Sequence, residues 1–102
     1  MSTLHTINKS PFTNNALSSC IKICSTSDAI LLLEDGVFGA IKSAPVSAQL
    51  QELMLSGTRV CAITADIKAR GLAEKVLASI ELVDYESFVQ LTLEHRCVQS
   101  WY

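Results

Sequence analysis

Four cysteines, two histidines and one acidic pair are the residues of this chain with chemistry to offer. The thiols are Cys20, Cys24, Cys61 and Cys97, and the imidazoles are His5 and His95. Cys20 invites a nucleophilic reading, because a thiolate can attack a persulfide and carry its sulfane sulfur. Yet Leu17, Cys20, Ile21 and Cys24 stand at i, i+3, i+4 and i+7, one face of a helix. On such a stripe a free cysteine is equally a small core residue. Cys20 also lies past the first helical turn, where the helix dipole does little for ionisation. Physics alone therefore favours a structural Cys20 over a reactive one. Cys24, on the same stripe, and Cys61, in an apolar run, are expected in the core, and Cys97 is expected near the surface.

The remaining groups suggest structural duty. His5 sits within a strand-like segment, and His95 ends a helical one, where a cation is mildly favoured. Glu34-Asp35-Gly36 reads as a turn. Cys20-x-x-x-Cys24 is not a C-x-x-C pair, and neither histidine has ligand spacing with it, so no metal site is expected. No G-x-G-x-x-G or Walker sequence is present, and no cofactor is expected.

Composition narrows the classes further. The 102 residues allow one domain, expected over residues 1–102. The net charge is −2 and no Lys/Arg stripe stands out, which argues against direct nucleic-acid binding. The apolar run Ala29 to Leu33 is too short to span a bilayer. Met1 to Ile7 lacks the apolar region of a signal peptide, so a reducing cytoplasm and free thiols are expected. Hydrophobic residues make up 49% of the chain against 18% charged, an apolar balance that points to a buried subunit interface.

The elements that must position these groups alternate. Thr3 to Ile7 reads as a strand, and Asn8 to Pro11 as a turn. A helix follows from about Asn14 to Cys24, capped by Thr13 or Asn14. The unbroken run Ala29 to Leu33 has the look of a strand buried on both faces. A short helix to Ile41 and a second one between Pro45 and Gly57 lead to a strand at Arg59 to Ile63. A short helix from Asp66 to Arg70, a strand from Ile80 to Val83, and a helix capped by Asp84 come next. Tyr85, Phe88, Val89 and Thr92 form the stripe of that last helix, and the tail Val98 to Tyr102 is a short edge strand with Trp101 and Tyr102 packed. Alternating strands and helices predict right-handed crossovers and a mostly parallel sheet.

At this point the chain resembles the DsrH/TusB family. The resemblance is carried by Leu4-His5-Thr6-Ile7-Asn8-Lys9-Ser10-Pro11, Leu31-Leu32-Leu33-Glu34-Asp35-Gly36-Val37, Asp66-Ile67-Lys68-Ala69-Arg70-Gly71, Asp84-Tyr85-x-x-Phe88-Val89-x-Leu91-Thr92 and Gln99-Ser100-Trp101, in order and over essentially the whole chain. It implies a small flavodoxin-like (DsrEFH-like) three-layer α/β domain. It implies a heterohexameric sulfur-relay complex with DsrE/TusD-type and DsrF/TusC-type paralogues, and a DsrC/TusE-type sulfur carrier as acceptor. The principal sulfur-carrying cysteine then belongs to the DsrE/TusD-type subunit, leaving open whether this chain is itself catalytic. Some DsrH-type members carry a cysteine in the first helix, and Cys20 matches it as the candidate persulfide carrier. That match points to the DsrEFH branch, which serves dissimilatory sulfur oxidation. The alternative is a TusB-type scaffold in the TusBCD relay toward 2-thiouridine at the tRNA wobble position.

Overall fold

Short β-branched and leucine-rich runs form strands here because both of their faces find cover. Ala29, Ile30, Leu31 and Leu32 are all buried, the signature of a central strand between two layers. The structure, a computed structural model, describes residues 2–102; Met1, the first residue of the expected domain, lies outside them. Its elements are β1 (Thr3–Ile7), α1 (Ala16–Ile23), β2 (Ala29–Leu32), a 3₁₀ segment (Glu34–Ala40), α2 (Ser47–Leu55), β3 (Arg59–Ile63), α3 (Thr64–Ala69), β4 (Glu81–Val83), α4 (Tyr85–Glu94) and β5 (Cys97–Trp101).

The five strands form one sheet in the order β4-β3-β2-β1-β5, and every pairing is parallel. The handedness of crossovers explains the layers. From β1 to β4 the chain steps along the sheet in one direction, so right-handed connections keep α1, the 3₁₀ segment, α2 and α3 on one face. The step from β4 to β5 runs back across the sheet, which sends α4 to the other face. The larger core cluster accordingly joins Leu17, Leu50 and Ile67 to Ile7, Ile30 and Leu32. The smaller one seats Leu91 of α4 on Leu4, Leu31, Cys61 and Ile63.

Local chemistry sets the helix ends. The Asn14 side-chain oxygen accepts from the Ala16 amide at 2.7 Å, and Asp84 accepts from the Ser87 amide at 2.8 Å. Several boundaries differ from the sequence reading: β2 ends at Leu32 rather than Leu33, β4 begins at Glu81 rather than Ile80, and β5 spans Cys97–Trp101 rather than Val98 to Tyr102. The 3₁₀ segment begins within the turn at Glu34, α2 starts at Ser47 rather than at Pro45, and α3 starts at Thr64. The stripe of α4 also differs. The helix meets the sheet through Phe88 and Leu91, while Tyr85 and Val89 face outward with Leu93. The tail divides too: Trp101 packs against the core, whereas Tyr102 is 84% exposed. Together with exposed Ile23 and Leu55, these residues leave much apolar surface uncovered on so small a protein.

Candidate functional site

Helix α1 runs antiparallel to the strands it covers, so its last turn arrives at the amino end of the sheet. There Cys24 meets Asp28, which begins the approach to β2, and His5 from the middle of β1. The His5 Nε2, the Cys24 sulfur and an Asp28 carboxylate oxygen all lie within 4.8 Å of one another. Sequence spacing could not reveal this group, because its members come from three separate segments. The parallel register of β5 on β1, with Trp101 opposite Ile7, adds a fourth: the Trp101 indole N–H donates to His5 Nδ1 at 3.1 Å.

That last bond assigns the imidazole. An indole N–H can only donate, so His5 Nδ1 accepts and the ring proton sits on Nε2. Nε2 then donates to Asp28 Oδ2 at 3.0 Å. Asp28 also accepts from the Ser25 amide at 3.1 Å and, through Oδ1, from the Thr3 amide at 3.0 Å. Burial works to raise the Asp28 carboxyl, but the His5, Ser25 and Thr3 donors outweigh it and hold the group down at about 2. One carboxylate thus ties β1, the turn before β2 and, through His5, the C-terminal strand.

The thiols differ sharply in access. Cys20, the candidate persulfide carrier, is 0% exposed in the larger core cluster. Its thiol is pushed upward by hydrogen bonding to Cys24 and by burial, with the charges of Cys24 and Asp28 acting in the same direction. It stands away from the carboxyl-end loops where ligands gather in this fold class. Cys20 therefore lies on the core side of its helix stripe, and in this conformation it is closed to a partner thiol. Cys24 is half-buried and is lowered by the Cys20 hydrogen bond, against burial and the Asp28 charge. Cys61 is buried in β3, and burial followed by the Glu81 charge pushes its thiol up to about 11. Cys97 is exposed on β5.

The other candidates resolve as structural. His95 Nδ1 lies 2.8 Å from the Leu91 carbonyl and closes α4. Asp35 pairs with Arg70 at 3.0 Å, and Arg70 also approaches Asp66. Asp66 Oδ2 accepts from the Glu34 amide at 2.8 Å, which holds Glu34 at a φ of 50°, the left-handed region. Spacing along the chain gives no sign of Asp66 and Arg70 as partners of the acidic pair, since only the turn brings them together. At the same end a cavity of about 250 Å³ lies between Phe88 and the β1–β5 margin, lined also by Thr6, Asn8 and Ser100.

A family profile described as "DsrH like protein" matches residues 9–98. Protein TusB of Pectobacterium parmentieri is 33% identical over 98 residues, covering 96% of this chain and 99% of that protein. Protein TusB of Escherichia coli strain K12 is 34% identical with the same coverage. Among solved structures, the ychN protein from E. coli superposes with a TM-score of 0.84 over 98% of this chain and 99% of that one, at 14% identity, which speaks to the fold alone. With nearly its whole length matched and a third of its positions shared, this chain belongs to the DsrH/TusB family.

Proposed function

We propose that this chain is a TusB-type subunit of a cytoplasmic sulfur-relay heterohexamer. In this reading it assembles with TusD-type and TusC-type paralogues and hands sulfur to a TusE-type carrier on the way to 2-thiouridine in tRNA. Its own contribution is structural, and the persulfide-bearing cysteine resides on the TusD-type partner. The burial of Cys20 carries this reading. The feature that pointed to the sulfur-oxidation branch is a thiol sealed beneath the helix, not one presented to a partner. The names of the full-length relatives support the same branch. The exposed apolar residues of α4 and the ends of α1 and α2 supply surface for the paralogues to cover. Among the described residues no helix is long and apolar enough to cross a membrane.

The DsrEFH branch is the second reading, and the presence of Cys20 in the first helix is what favours it. Co-expression with both paralogues, native mass measurement of the assembly and sulfur loading of the acceptor separate the two. Cys20→Ser should assemble and load a TusE-type acceptor at near wild-type rate. A hexamer that forms normally but loses transfer in Cys20→Ser, or that loads only a DsrC-type acceptor, would overturn the TusB assignment. Failure to assemble with the paralogues at all would remove both readings.

A further inference from the structure

The group at the amino end of the sheet holds donors of three kinds: a thiol from α1's C-terminal cap, an imidazole from β1 and a carboxylate from the turn before β2. Such a mixture of sulfur, nitrogen and oxygen is the ligand set of a thiophilic divalent cation. Cys24 and Asp28 are each only partly covered, and Asp28 also lines a surface cavity of about 370 Å³ together with Ser2, Thr26 and Arg59, which provides a way in.

We propose that Cys24, His5 and Asp28 bind one zinc-like divalent cation, and that binding it uncouples Trp101 from His5. The proton balance makes the second half follow from the first. The cation takes the Cys24 sulfur as thiolate, whose proton leaves to solvent. It takes His5 through Nε2, so the ring proton moves to Nδ1. One thiolate, one carboxylate and a neutral imidazole then neutralise the double charge. Nδ1, now a donor, faces the donor N–H of Trp101 at the 3.1 Å of their present bond, and the two groups part. Asp28 keeps its Thr3 bond through Oδ1 while Oδ2 turns to the cation. The bonds given up are the charge-assisted one from His5 Nε2 to the Asp28 carboxylate and the neutral one from Trp101 to His5 Nδ1, while Oδ2 keeps a lone pair for the Ser25 amide; the thiolate–metal bond outweighs them. This site is separate from the sulfur-transfer reading and does not depend on it.

The test uses the full chain carrying Cys97→Ser, which removes the exposed thiol on β5. Cobalt(II) serves as the spectroscopic probe and zinc(II) as its competitor. The expected result is one cobalt per chain, a thiolate-to-cobalt charge-transfer band that zinc bleaches, and a change in emission of Trp101, the single tryptophan. Cys24→Ser and Asp28→Asn should each abolish or severely weaken the band, with circular dichroism checking that they fold. Trp101→Phe should tighten binding by about tenfold, because the competing indole donor is gone. A merely adventitious surface ion would not respond to that change. Absence of a charge-transfer band, its persistence in Cys24→Ser, or unchanged affinity in Trp101→Phe would each overturn the proposal.

Discussion

The two ends of the sheet treat their polar groups in opposite ways. At the amino end, Asp28 accepts three hydrogen bonds and the His5 ring uses both nitrogens. At the carboxyl end, Asn8 Oδ1 is enclosed without a partner, and Glu34 is held with positive φ. Gly36 is so close to Ile7 that a Cβ there would lie 1.9 Å from the Ile7 carbonyl oxygen. Both ends fasten distant segments, the carboxyl end through Asp66 on the Glu34 amide and Arg70 on Asp35, but the carboxyl end also carries the backbone strain, on the side where this class of sheet places its binding loops.

The contrast can be broken most forcefully at Gly36. Gly36→Ala should cost about 3 kcal/mol or more, since backbone meets backbone and neither can yield cheaply. Urea denaturation reads this directly, and a loss below about 1 kcal/mol would mean the turn relaxes and the strained-end description is wrong.

Next in size is Asp28→Ala, expected to cost about 2–3 kcal/mol by stranding the Thr3 and Ser25 amides and the His5 ring. The same residue has a pH signature. Its folded carboxyl is held below the ordinary value, so its contribution is present above the unfolded value and is lost as pH falls toward about 2. Asp28→Asn should therefore flatten stability against pH between about 4 and 2. An unchanged acid limb would place the linkage on other carboxylates.

A smaller loss, about 1 kcal/mol, is expected for Trp101→Phe, which keeps the ring but removes the donor to His5. Amide exchange along β5 should quicken with it. If exchange at Cys97 to Trp101 stays as slow as in the parent, the bond to His5 is not what seats the edge strand.

The smallest effect has the opposite sign. Glu34→Gly should stabilise by about 0.5 kcal/mol, because glycine takes positive φ without strain but gives up more chain entropy on folding. A melting temperature that falls instead would show that the Glu34 side chain contributes more than its backbone costs.

Much of this was legible locally. The i, i+3, i+4, i+7 stripe put Cys20 in a helix and weighted it toward the core, where it lies. Asp84 before an amphipathic run announced α4. The outward turn of Tyr85 and Val89 was not legible. An apolar stripe identifies a helix but does not say which flank meets the sheet when the helix is the single cover of its face.

Periods of two and 3.6 residues belong to the backbone of each segment, so the alternation of strands and helices and the parallel sheet could be read from the sequence alone, while the family came from the ordered residue blocks that resemble it. The site could not. His5 and Trp101 are 96 positions apart and meet because β5 returns to lie in register beside β1. Cys24 and Asp28 reach His5 through a helix end and a turn whose directions depend on the packed sheet. Spacing along the chain records covalent distance, and the chemistry of this cluster depends on distance in space, which only the crossovers and the register decide.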